Sequence, residues 1–259
     1  MSRFLLISIF CFSFDSSFAQ TRSVPAVKIT APIRIDGDAD DESWQHVPSI
    51  SGFITSTPVF GKNASHTEVK IAYDNSAVYV FAYLFDDPEN IKRRLTARDD
   101  IEDEDVDVFG VGLDTYNDKQ NGFSFKVSAA GVQKDAKLST QEDASWNAVW
   151  ESKVSLKKDG WVVEMKIPFS AIRFSKSNLQ NWGLQFSRFR RVTNELSTWS
   201  PDDPKMGGNM NKWGEWTGLR NISPPVRLSF LPYLSGGINV SPVGNKKETE
   251  FLKSGGMDV

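Results

Sequence analysis

From residue 68 onward the chain alternates apolar and polar positions with the period of a β-strand. In residues 68–73, Val69, Ile71 and Tyr73 share one parity, and successive strand side chains point to opposite faces. Residues 77–85, AVYVFAYLF, are apolar on both parities, as expected of a strand covered on both sides. Residues 122–128 set Phe123, Phe125 and Val127 against Ser124, Lys126 and Ser128. Residues 146–156 and 161–167 flank Lys157-Lys158-Asp159-Gly160, a hairpin turn closed by glycine. Residues 133–140 and 182–191 read as two further strands, and 199–216 as a loop rich in Gly, Asn, Pro and Trp. Asp74-Asn75-Ser76, Asp86-Asp87-Pro88 and the polar stretch 114–121 separate the strands. DADDESW, residues 38–44, reads as one helical turn that packs Trp44 inward, and no long amphipathic helix follows. The pattern predicts an all-β fold, an antiparallel β-sandwich.

Residues 97–114, ARDDIEDEDVDVFGVGLD, pass without a break from an acidic run into a strand. One parity carries Val106, Val108, Gly110 and Gly112; the other carries Asp107, Phe109, Val111 and Leu113. The strand therefore reads as buried on both faces, with a carboxylate near its start. A buried Asp is costly unless it is paired, hydrogen-bonded or bound to a metal. Two readings stay open: a solvated acidic loop leading into a core strand, or carboxylates at the rim of a binding face or on calcium.

The two ends of the chain change the picture. Arg3, the apolar run 4–14 and Ser17-Phe18-Ala19 form an export signal with cleavage after Ala19, so residues 1–19 stand outside the fold. The run is too short to span a membrane as a helix. The one cysteine, Cys11, lies within it, which leaves the mature chain without thiolate chemistry or thiolate zinc sites. Pro224-Pro225 marks a boundary between a sandwich, residues 20–223, and a linker with the first strands of a further β domain, residues 224–259.

Net charge is −3 with a pI near 5.5, which excludes the basic footprint of a nucleic-acid binder. Aromatic content is 12%, including eight Trp, enough for a β core or for stacking platforms. There is no G-x-S-x-G, no phosphate-cradling Gly loop and no His pair at metal spacing. Asp36, Asp38 and Asp40 have the i, i+2, i+4 oxygen spacing of a calcium loop, and Asp-capped turns have the same spacing. Asp103 and Asp105 are further candidates for calcium. If strands 106–114 and 122–128 pair, Asp107 and Lys126 are expected as cross-strand neighbours, with Ser187 and Arg188 extending one polar row.

IDGDADDESW, VKIAYDNSAVYVFAYLFDDP, DEDVDVFGVGLD and DGWVVEMKIPFSAI, in this order over residues 27–219, resemble the family 9 carbohydrate-binding module. The resemblance implies a β-sandwich that binds sugar chain ends and calcium and is often joined to xylanases. WGLQFSRFRR and KWGEWTGLRNISPPVRLSFLPYLSGG resemble large exported proteins of Bacteroidetes type, in which the module precedes a C-terminal domain thought to be an outer-membrane barrel. Carried over residue by residue, the family's sugar-bonding carboxylate falls on Asp107, its cation on Lys126 and its amide on Ser187. Its two stacking aromatics fall on Ile101 and near Gly207 or Gly208, so neither is retained. Trp146, Trp150, Trp199 or Trp213 could supply another platform; Trp44, Trp161 and Trp182 match core positions.

The expected function is non-catalytic binding of a poly- or oligosaccharide in polysaccharide catabolism, with no nucleic-acid partner. Two alternatives remain: a structural or interaction domain of an outer-membrane protein, or part of a glycoside hydrolase whose catalytic domain lies elsewhere.

Overall fold

The computed structural model describes residues 21–101, 104–206, 210–225, 231–243 and 246–258. The expected export signal, residues 1–19, lies outside these residues, as do Asp103, Gly207 and Gly208. The elements run β1 (Ser23–Pro25), β2 (Val27–Lys28), α1 (Glu42–Gln45), β3 (Ile54–Thr57), β4 (Thr67–Tyr73) and β5 (Ala77–Phe85). Then come β6 (Val108–Asp114), β7 (Gly122–Ser128), β8 (Gln133–Leu138), β9 (Glu142–Asp143), β10 (Glu151–Lys157) and β11 (Gly160–Pro168). The chain continues through β12 (Leu179–Arg190), β13 (Glu195–Thr198), β14 (Gly214–Arg220), β15 (Leu231–Val243) and β16 (Lys246–Asp258). Among the described residues no helix is long and apolar enough to cross a membrane.

Two sheets face each other. The larger runs β1-β14-β12-β6-β7-β8-β9, with β13 and β3 branching from β12; the smaller runs β10-β11-β5-β4-β2. β1–β14 and β2–β4 are parallel, and every other pair in the two sheets is antiparallel. Phe109, Val111 and Leu113 of β6, Phe123, Phe125 and Val127 of β7, and Trp182, Leu184 and Phe186 of β12 point inward. They meet Val69 and Ile71 of β4, Val80 and Leu84 of β5, and Trp161, Val163 and Met165 of β11. Each such side chain contributes about 1.5–3 kcal/mol by leaving water.

The smaller sheet has a second core on its outer face. Ile29, Ile33, Trp44 and Val47 cover Tyr79, Phe81 and Val162, which is why β5 is apolar on both parities. Glu164 of β11 is buried there and accepts from the Trp44 indole at 2.9 Å, from Gly37 N at 2.8 Å and from Asp36 N at 3.0 Å. Burial raises its pKa, and those three donors lower it. The outer face of the larger sheet has a smaller cluster, Ile101, Val106, Val108 and Val132, at one end of β6.

Candidate functional site

On β6 the outward parity carries Val108, Gly110 and Gly112. Gly110 pairs with Lys126 of β7 on one side and Ser187 of β12 on the other; Ser187 pairs in turn with Thr198 of β13. A cross-strand row of Lys126, Gly110, Ser187 and Thr198 results. The missing side chain at Gly110 keeps the middle of the row open. A Cβ there would lie 2.8 Å from Ser187 Oγ and 3.1 Å from Lys126 Cγ. The row borders a hollow of about 320 Å³ whose other walls are Ile101, Val108, Phe189 and Leu196. Polar groups thus meet an apolar backing, the usual composition of a small-molecule pocket. Lys126 supplies an ammonium 3.7 Å from Glu142 Oε2, and Glu142 Oε1 lies 3.1 Å from Lys134 Nζ. The hydroxyls of Ser187 and Thr198 can donate or accept.

Lys126 and Ser187 come together as expected, but Asp107 and Arg188 do not join them. Asp107 has the parity of Phe109 and lies just before β6, on the side of the core. Opposite Lys126 stands Gly110, so the expected Asp107–Lys126 pairing is absent. Asp107 is 1% exposed; its Oδ1 accepts from Arg191 N at 2.9 Å, and its Oδ2 has no hydrogen-bond partner. Burial pushes its pKa up to about 6, against the lowering effect of the Arg191 N–H and the Arg188 charge. Arg188 follows Ser187 and therefore points the other way. It is wholly buried and crosses to the smaller sheet, donating to His66 O and Phe85 O at 2.9 Å and to Asp86 Oδ2 at 3.1 Å. Arg190 also pairs with Asp86, at 2.5 Å.

Three expected platforms also lie elsewhere. Trp199 is 4% exposed and packs on Phe186, in space left by Gly214. Trp146 stands 5.2 Å from Phe123 and 6.0 Å from Phe125, centroid to centroid, and so belongs to the inward side. Trp150 is buried, with its indole on Asp135 at 3.0 Å. Of the four candidates only Trp213 lies on the outer face, its ring against Gly112.

The residues of the expected calcium loop engage other partners. Asp36 Oδ1 accepts from Asp38 N at 3.1 Å, Asp38 pairs with Lys157 at 2.8 Å, and Asp40 lies 3.9 Å from Arg34. They act as turn caps and ion pairs and do not fit a shared cation. Asp105 stands 4.0 Å from Arg191. Among the described residues no three His, Cys, Asp or Glu side chains converge as a metal site.

The sandwich agrees with what sequence comparison finds. A family model for the carbohydrate family 9 binding domain-like domain matches residues 35–217. The chain belongs to this family. Endo-1,4-beta-xylanase A of Thermoanaerobacterium saccharolyticum is 27% identical over 190 residues, 73% of this chain and 15% of the xylanase. Exoglucanase XynX of Acetivibrio thermocellus is 26% identical over 190 residues, 73% of this chain and 16% of the exoglucanase. The family 9 domain thus corresponds to a small part of either relative.

Among solved structures, a family 9 carbohydrate-binding module from Caldicellulosiruptor kristjanssonii in complex with cellotriose superposes with a TM-score of 0.56 at 17% identity, covering 79% of this chain and 95% of the module. A putative carbohydrate-binding protein from Bacteroides uniformis gives a TM-score of 0.62 at 11% identity, covering 76% of this chain and 99% of its own. These likenesses confirm the family 9 sandwich fold. Sequence reading missed Gly110, Phe189 and Thr198 as parts of the hollow. The available signal was the glycine pair at i, i+2 on one parity of an otherwise apolar strand.

Proposed function

We propose that this domain binds an oligosaccharide without cleaving it, and that the sugar sits in the hollow over Gly110. The observation that carries this is the placement of Lys126, Ser187 and Thr198 in one row against an apolar wall. The family and the Caldicellulosiruptor module with cellotriose support the ligand class. The names of the xylanase and exoglucanase relatives support a place in polysaccharide breakdown. Affinity electrophoresis in gels containing xylan or cellulose-derived glucan tests the reading. Wild type should be retarded and Lys126→Ala and Ser187→Ala should not; a wild type that runs freely in every gel overturns it.

Export, with a working place at the outer membrane, belongs to the same proposal. β15 and β16 pair only with each other among the described residues. Leu234, Ile238, Val240, Phe251 and Met257 share one face of that hairpin, with Thr249 and Lys253 among them; Ser235, Asn239, Ser241, Glu250 and Ser254 share the other, with Leu231, Tyr233 and Leu252 among them. Alternation of this kind is the pattern of barrel strands. Cell fractionation and N-terminal sequencing of the mature protein test it: a start at Gln20 is expected and a start at Met1 overturns it. Calcium is proposed only for the acidic stretch with Asp103 and Asp105, since Asp36, Asp38 and Asp40 are otherwise engaged. Calcium at a hundredfold excess over its Kd should stabilise by about 2.7 kcal/mol. A melting temperature that neither calcium nor chelator moves removes it.

A further inference from the structure

The outer face of the larger sheet has a second hollow, of about 590 Å³, beside the first. Trp213, Met210, Glu142, Lys119, Gln120 and Asp202 line it, with residues 138–141 closing one side. Gly112 lies two residues along β6 from Gly110, on the same parity and therefore about 7 Å away. A Cβ at Gly112 would overlap the Trp213 ring, so this glycine is what seats the indole on the sheet. The indole remains part-exposed, unlike Trp44, Trp161, Trp182 and Trp216, which are 0% exposed. Glu142 connects the two hollows: it lines the second and lies 3.7 Å from Lys126, which lines the first. Asp202 has a buried Oδ1 without a hydrogen-bond partner, an acceptor in want of a donor. Burial, with Asp203 beside it, raises its pKa.

From this we infer that the two hollows form one cleft, that it takes an oligosaccharide of several rings, and that Trp213 is the surface on which a later ring stacks. The inference rests on sugar binding in the first hollow. To Phe189 of the first hollow it adds an indole face at the position where the chain would leave Lys126 and Ser187. Sugar hydroxyls in the second hollow would find carboxylate, amide and ammonium partners in Asp202, Glu142, Gln120 and Lys119. A slot that admits one terminal ring needs none of these.

Isothermal titration of the full chain with glucose, xylose, cellohexaose and xylohexaose separates the possibilities. One of the hexaoses should bind at least tenfold more tightly than its monosaccharide. Trp213→Leu, which keeps an apolar cover over Gly112 but removes the ring, should weaken that hexaose about tenfold or more. It should leave the monosaccharide within twofold and the melting temperature within a few degrees. Gly112→Ala, which displaces the ring from the sheet, should show the same selective loss. Equal binding of monosaccharide and hexaose, or variants that weaken both alike or neither, overturns the inference and leaves binding in the first hollow standing. No binding of any sugar by wild type overturns both.

Discussion

β5 and β6 read alike in sequence, each apolar on both parities, yet they use their second faces in opposite ways. The outer face of β5, with Tyr79 and Phe81, lies under Ile29, Ile33, Trp44 and Val47 and is sealed as a second core. The outer face of β6 has Gly110 and Gly112 where β5 has large rings; Trp213 lies over Gly112, and Gly110 borders the hollow. The lesson is that absence of polar residues marks two different situations. Large side chains on the second parity call for a cover, whereas glycines there make room, for a ligand or for a ring such as that of Trp213. The same contrast divides β12 residue by residue, since Arg188 locks the interior and its neighbour Ser187 faces the hollow.

The strongest way to break the contrast is from the inside. Arg188→Ala should cost about 3–5 kcal/mol, the loss expected when one partner of a buried ion pair is removed, read as a lower urea midpoint. A cost below 1 kcal/mol would show that Arg190 alone satisfies Asp86. Next comes Asp107. Its folded pKa near 6 exceeds the unfolded value of about 3.9, so the folded state binds the proton more tightly. Its contribution is full below about pH 4 and lost as pH rises through 6, a change of about 3 kcal/mol. Asp107→Asn should abolish that slope and be more stable than wild type at pH 7.5; parallel pH profiles of the two would refute it.

The outer face should respond differently. Gly110→Val drives a branched side chain between Ser187 and Lys126. It should cut sugar affinity more than tenfold for a stability cost of about 1–3 kcal/mol, the range for overpacking. Unchanged affinity would place the sugar elsewhere. The smallest stability effect belongs to Lys126→Ala. Loss of its part-exposed pair with Glu142 should cost at most about 1 kcal/mol, while glycan retention disappears. A large fall in melting temperature would make Lys126 a structural residue and blur the comparison.

Most strands could be read in advance because each has one inward parity that the period-two pattern exposes. α1 was legible too, since Trp44 ends an acidic turn and packs on Phe81 at 5.9 Å. Register was not. β6 and β7 are joined by the turn 115–121, which sets Gly110 opposite Lys126 and Val108 opposite Ser128. With that pairing, even positions of one strand share a face with even positions of the other, so Asp107 and Lys126 can never meet. Arg188 and Ser187 fail as one row for a simpler reason, since adjacent strand residues diverge. The tryptophans were misplaced because a loop residue shows its neighbours only in three dimensions. Trp199 turns inward because Gly214, fifteen residues on in sequence, leaves space for its ring.

One feature at the start of the sandwich bears on the order of events in the cell. β1 lies parallel to β14, at Ser23–Glu215, Val24–Trp216 and Pro25–Thr217, and β2 lies parallel to β4 two residues later. A single extended segment therefore seats the rims of both sheets. It is among the first parts of the domain to be synthesised, and one of its partners is the last strand of the sandwich. Loop closure over that separation is slow compared with local hairpins. Until residues 214–220 are made, the larger sheet stays open along one side, with the rims of β1 and β12 that β14 will fill available to other chains. A protein built this way completes its larger sheet only after residues 214–220 have been delivered. Trimming the segment away at residue 29 should yield a domain that keeps its hairpins but aggregates.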